Sequence, residues 1–299
     1  MSSATIARNK APSNHLKALN MPLIQDPDLD SILIHAEDDD LAVLIDHITY
    51  KGEGRVSLAN STCELLVRAK QQPPADDIAR AIVAEELARF GGNSLMNLLR
   101  RGGGVAYREI ARDVAEHLKA KHPDSADAAT IELAILSSLA QQSLGQMGED
   151  DKVAFFQQFG MRYAAGSGAA ASAGLIANIV ASNTASYQLS SLIAHGAVKA
   201  LLGRGLGAGL GSVAGGAAFV APVALALSVI WGLYGLTSPA YRVTVPCTIH
   251  IAYMRRKLDQ AGGCARCGTP APRGGRFCSS CGSPLARPAA LPGPATARN

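Results

Sequence analysis

YREIARDVAEHLK, residues 107–119, decides the fold class. Tyr107, Ile110, Ala111, Val114 and Leu118 recur at three- and four-residue steps and form one apolar stripe. Arg108, Glu109, Arg112, Asp113, Glu116 and Lys119 occupy the other faces, so the segment reads as an amphipathic helix with one buried side. Pro123 ends the pattern.

Working outward, helical periods continue with short breaks between them. Asp26-Pro27-Asp28 opens a helix, with acids at its positive end. SILIHA and LAVLIDHI read as two short helices split by the acidic run Glu37–Asp40, which is expected to be a solvated turn and N-cap. Lys51–Gly54 is a loop, and STCELLVRAK is a third helix. Asp76 and Asp77 start a helix running to Phe90, which Gly91-Gly92 is expected to end with a left-handed residue. SLMNLLRR, a helix over about Ala128–Met147 and DDKVAFFQQF complete an all-α N-terminal half.

Composition changes at Gly160. Between Tyr163 and Tyr241 the charged side chains are Lys199 and Arg204, and none occurs from Gly205 to Tyr241. AAGSGAAASAGLIANIVA (164–181) is small and apolar, and Asn183–Leu202 is a mildly amphipathic helix. Gly203, Gly207, Gly211 and Gly215 recur every fourth residue, a spacing that lets helix backbones approach closely. Gly166, Ala170 and Gly174 repeat the spacing upstream. AAFVAPVALALSVIWGLYGL (217–236) is long enough to span a hydrocarbon core. Pro246 suits the first turn of a last helix through Met254, whose end is expected to be favoured by Arg255, Arg256 and Lys257.

CARCGTPAPRGGRFCSSCG (264–282) is the most specific motif. Cys264, Cys267, Cys278 and Cys281 have the spacing of a tetrahedral thiolate site with no open position, so a structural Zn2+ is expected. Gly268 and Gly282 follow the pairs, as tight knuckle turns require. The alternative, a redox dithiol, normally sits on a βαβ scaffold that the pattern lacks. Phe277 is nearly the only large apolar residue in this ribbon. A ribbon of this size suits docking of a protein partner; Arg266, Arg273 and Arg276 leave phosphate contact open, though little could stack a base. Cys63 and Cys247 read as buried bystander thiols.

Hydrophobic residues make up 48% of the 299 and charged ones 17%, with a formal net charge of +4. The chain from Arg255 onward carries +7, leaving about −3 on the rest, a basic tail suited to anionic lipid, nucleic acid or an acidic protein face. No G-x-x-x-x-G-K-[ST], H-E-x-x-H or G-x-S-x-G occurs, and the seven histidines are scattered. Gly166-Ser-Gly168-Ala-Ala-Ala171 fits a loosened dinucleotide loop but lacks a preceding strand. A non-enzymatic protein is expected.

EELARFGGNSLMNLLRRGGGVAYREIARDVAEHLK (85–119) and AYRVTVPCTIHIAYMRR (240–256) resemble the bacterial YaaW family, through FGG-S, LR-x-x-G, YR before a D-V helix, AYRVT-P and the paired arginines. DPDLDSIL and DDLAVLIDHIT agree more loosely. The likeness covers about residues 25–258 and stops before the cysteines, so the ribbon looks like an added module. The resemblance implies no reaction; proteins like these sometimes carry a ubiquinol–cytochrome c chaperone-like label, and nothing here resembles a quinone or haem site. It directs attention to Tyr107, Arg108, Tyr241 and Arg242 as contacts for an anion or a partner. The plainer reading of those arginines is satisfaction of helix-end carbonyls.

The expected organisation is a disordered tail over 1–20, an α-helical domain over 21–160 and a glycine-rich apolar helical region over 161–260. A zinc ribbon over 261–286 and a disordered tail over 287–299 follow. With no secretory h-region and reduced cysteines, both termini are expected in the cytoplasm, so the chain crosses a bilayer twice or not at all. The preferred expectation is conditional or peripheral membrane association through a sequestered apolar hairpin. The alternatives are a soluble scaffold or assembly chaperone, which could self-associate, and a two-span inner-membrane protein.

Overall fold

A computed structural model describes residues 26–55, 58–92, 105–202, 223, 227–228, 240–260, 277–278 and 282–283. The glycines 203, 207, 211 and 215, most of 217–236, the SLMNLLRR segment, both expected tails, and Cys264, Cys267 and Cys281 lie outside the described residues.

The described chain is mainly helical, as expected. Its helices are α1 (Pro27–Leu33), α2 (Asp38–Thr49), α3 (Asn60–Gln71), α4 (Asp77–Gly92), α5 (Tyr107–His117), α6 (Ala128–Gly145), α7 (Glu149–Gln158), α8 (Gly168–Ala181), α9 (Asn183–Leu202) and α10 (Tyr241–Gln260). The stripe of α5 is buried as its period requires, from Tyr107 through Leu118. The helix ends on left-handed Lys119, ahead of Pro123.

One carboxylate starts two helices. Asp26 Oδ1 accepts the amides of Asp28 (3.0 Å) and Leu29 (3.3 Å) at the head of α1. Its Oδ2 accepts the amide of Tyr107, the first residue of α5, whose own N-cap position is Ala106 and supplies no side-chain acceptor. Arg55 closes the other end of α2 by donating to the carbonyls of His47 and Ile48.

Gly91 serves a different purpose from the expected left-handed stop. It is helical and buried, and a Cβ there would lie 2.5 Å from Ile110 Cγ1. Its missing side chain lets α4 approach α5. The upstream repeat behaves in the opposite way: Gly166, Ala170 and Gly174 are all exposed. A Cβ at Gly166 or Gly174 would meet nothing within 4 Å, so α8 does not use them for close helix contact among the described residues. It packs on α6 and α9 through Ser172, Ile176 and Ile179.

The last helix is central. α10 packs against α1, α2, α4, α5, α6 and α9, and every residue from Val243 to Met254 is buried. It begins at Tyr241, so Pro246 lies inside it, past the first turn, and α10 forgoes the amide bond that position 246 would donate. It also runs on to Gln260, so Arg255 and Arg256 precede its last turn, which holds Lys257. Helices on both sides of residue 160 contribute to one hydrophobic core, which includes Val223 and Leu227.

Candidate functional site

Two polar networks run along α10, inside the fold. The first joins α5, α6 and α10. The Tyr107 hydroxyl, on a fully buried ring, donates to Glu132 Oε1 at 2.8 Å. Arg255 Nε donates to Glu132 Oε2 at 2.7 Å, and its Nη2 reaches Glu132 Oε1 and the Asp28 carbonyl at 3.1 Å each. Burial and then the Glu132 charge hold the Tyr107 phenol well above its ordinary range. Burial works against the Arg255 charge, but Glu132 outweighs it and the guanidinium stays protonated. This is a charge pair with its carboxylate buried and its guanidinium largely so.

The resemblance-derived positions occupy the heads of α5 and α10. Arg108 Nε donates to the Ala126 carbonyl at 2.8 Å, in the turn ahead of α6. Tyr241 is half-buried and stacks on His117, with ring centroids 3.9 Å apart. It borders a crevice shared with Phe90, Gly91, Ile110 and Thr244 that has room for about one water. Arg242 is exposed and sits close enough to Arg55 to disfavour its charge. The structure therefore gives the two tyrosines different tasks: one anchors the charge pair, the other covers a helix junction.

The second network joins α2, α9 and α10, and sequence reasoning missed most of it. Asp40 is 2% exposed, so the expectation that all of Glu37–Asp40 is solvated fails at its last residue. Lys257 Nζ lies 2.8 Å from Asp40 Oδ2 and 2.7 Å from Glu37 Oε2, pulling the start of α2 onto α10. His250 Nε2 stands 3.6 Å from Asp40 Oδ1, an electrostatic contact longer than a hydrogen bond. Burial pushes the Asp40 carboxyl up, but His250 and Lys257 outweigh it and hold it below its ordinary value.

Around His250 lie two more buried histidines. His47, from α2, is held down at about 3, first by burial and then by the charges of His250 and Arg55. His195, from α9, is lowered mainly by burial, against the opposing backbone contact with Ser191. Its Nδ1 lies 2.5 Å from the Ser191 carbonyl, so that nitrogen carries the proton and Nε2 carries the lone pair. The Tyr253 ring packs against His195, His250 and Tyr187, with centroids 5.9, 5.5 and 5.9 Å away. Among the described residues no three His, Cys, Asp or Glu side chains are placed to hold a metal ion, so these histidines are not a preformed metal centre. The available signal was modest: Asp40 and His47, and likewise His250 and Lys257, stand seven residues apart and share a helix face.

Of the expected zinc ligands, Cys278 is described. It is 4% exposed, its amide donates to the Ser283 carbonyl at 2.8 Å, and its carbonyl accepts the Gly282 amide at 2.9 Å. Gly282 has φ +71°, a left-handed conformation that glycine adopts without strain. That turn fits a zinc knuckle. Phe277 beside it is 63% exposed.

The chain is similar to the UPF0174 protein YaaW of Escherichia coli strain K12, 31% identical over 245 residues, covering 81% of this chain and 98% of that protein. It is also similar to a UPF0174 protein of Helicobacter pylori strain J99, 30% identical over 191 residues, 62% of this chain and 75% of the relative. No protein-family model matches the chain, and no solved structure does. Nearly the whole of the Escherichia coli relative aligns, so the likeness is to a full chain and not to one motif, and this protein belongs to the UPF0174 (YaaW) family.

Proposed function

We propose that this is a non-enzymatic protein that associates with membranes conditionally or peripherally, through the apolar region between α9 and α10. A C-terminal zinc ribbon would serve for docking a protein partner. The observation that carries the reading is where the apolar region meets the fold. α9 and α10 pack on each other, with the Tyr253 ring 5.9 Å from both Tyr187 and His195. The apolar stretch thus leaves one helix of a packed pair and returns to the other, as an excursion from that pair. Within that excursion Val223 and Leu227 are 2% and 0% exposed and belong to the common core. Among the described residues no helix is long and apolar enough to cross a membrane. Sequestration at rest, with exposure on demand, accommodates both facts.

The Cys278 turn supports Zn2+ held by Cys264, Cys267, Cys278 and Cys281 as a structural ion. A reduced site would keep the C-terminus, and with it the N-terminus, in the cytoplasm. Exposed Phe277 is an apolar contact for a protein partner and a poor platform for nucleic acid on its own.

The test is carbonate extraction of cell membranes together with flotation of the purified chain on vesicles. Vesicles with about one third anionic lipid and wholly zwitterionic vesicles should be compared, each at neutral and acidic pH. Association with anionic vesicles under at least one condition, removable by carbonate, is expected. Recovery in the soluble fraction alone, with no vesicle binding, would instead favour a soluble scaffold or assembly chaperone. Light scattering would then give its oligomeric state. Carbonate-resistant protein in membranes would favour two spans.

A further inference from the structure

The seam between α2, α9 and α10 contains buried polar atoms with no hydrogen-bond partner among the described residues: Asp40 Oδ1, His47 Nε2, His195 Nε2 and both ring nitrogens of His250. Such atoms are rare in folded cores and call for a reason. Here they gather on titratable groups at the junction that holds α9 and α10 to the N-terminal helices. We infer that His47 and His195, packed around His250, form an acid-operated latch, in which proton uptake separates the α9–α10 pair from α2 and uncovers the apolar core behind it. This rests on the membrane reading above, and supplies the condition that the reading requires.

The charges around each ring fix the direction. His47 faces His250 across the seam and the Arg55 guanidinium from the loop after α2, and both hold its charged form down. The neighbouring Asp46 is engaged by Lys70 of α3 at 2.5 Å. His195 faces His250, Asp40, Ser191 and the Tyr253 ring. Asp40, a carboxylate within reach of His250, is shared with Lys257, which Glu37 also contacts. A proton on His47 or His195 must therefore enter a dry seam, and at His47 the Arg55 guanidinium disfavours it further. Separation of the helices relieves every one of these terms together.

The sign follows from linkage. A histidine that is neutral when buried and ordinary when exposed binds more protons in the open state at any pH below about 6.5. Opening is then favoured as pH falls, by up to about tenfold per pH unit for each such ring. His47, held at about 3 in the closed seam, contributes on the order of thirtyfold at about pH 5. Asp40 acts at lower pH. Its depressed value keeps it ionised in the closed state, and that stabilisation is lost only below its ordinary range, near 3.8.

The experiment is amide hydrogen exchange on the full chain without lipid between pH 7 and pH 5, corrected for intrinsic exchange, with vesicle flotation in parallel. Exchange in α9 and α10 should accelerate by at least about thirtyfold towards pH 5. His47→Leu removes a titrating group and an unpartnered atom together, so it should fold and lose most of that response. His195→Gln should blunt the response independently, and His122→Gln, at a half-buried ring outside the seam, should leave it intact. Protection that does not change with pH, or a full response in both seam variants, would overturn the latch. Acid opening without vesicle binding would confirm the latch and remove the membrane reading. Vesicle binding without opening would do the reverse.

Discussion

At the scale of single residues, buried polar side chains organise this fold, and Glu132 is the most consequential. It takes the Tyr107 hydroxyl on one side and Arg255 on the other. Glu132→Leu should destabilise the protein by about 3–5 kcal/mol, because it strands a buried guanidinium. Adding Arg255→Met should recover most of that loss, since an apolar pair does not carry the desolvation cost of two ions. Urea denaturation of the two single variants and the double variant reads the difference directly. No spacing rule pairs residues 123 apart, so this contact was invisible in the sequence, where Arg255 looked like a helix-end charge. Tyr107 was singled out twice, by its place on the apolar stripe and by resemblance as an anion or partner contact, and the stripe accounts for its burial while its hydroxyl partner Glu132 was not foreseen. The histidine seam was hidden for the same reason: His47, His195 and His250 lie on three helices, and helical period reports a face without naming its partner.

At the scale of elements, the helices were legible wherever one face is apolar and a cap marks the start. α5 follows its stripe, α9 ends where the reading placed it, and Asp26, Asp76 and Asp127 each accept amides in a first turn. α10 was only partly legible, because a helix buried on all sides has no polar face to give it a period. Its threonines, histidine and internal proline made it look short and peripheral. Gly91 shows how a residue type can be read correctly as special but for the wrong cause. Gly91→Ala should cost about 1–3 kcal/mol, because the new methyl would overlap the buried Ile110 side chain. A left-handed cap would give a comparable penalty, so the discriminating measurement is a double variant. Ile110→Ala alone should be destabilising. Combined with Gly91→Ala it should cost clearly less than the two separate losses together, a coupling visible in melting temperatures. Additive losses would mean that α4 and α5 do not touch at this point. The shared cap makes a parallel expectation: Asp26→Ala should lose about 1–4 kcal/mol by uncapping α1 and α5 together, and Asp26→Asn much less.

At the scale of the whole molecule, the helical body and the cysteine-bearing tail should be separable in stability, since they draw on different physics. The body rests on a core that runs from Leu29 to Met254. The cysteine-bearing segment 261–286 offers few large apolar residues for a core of its own, and Phe277 is exposed. Its order would have to come from the metal, for which about 10–16 kcal/mol is available in small peptides of this kind. Native mass spectrometry of the full chain should therefore show one Zn2+ per chain, lost on treatment with a strong chelator. Chelation should leave the helical circular dichroism and the main melting transition nearly unchanged, while proteolysis of the chain after Gln260 becomes rapid. Cys278→Ser should reproduce both effects without chelator, because one missing thiolate opens a four-ligand site. A chelator that melts the body as well would show that the metal stabilises the core across the α10 terminus. Absence of zinc in protein purified under reducing conditions would return the four cysteines to redox chemistry, where the spacing alone left a second reading open.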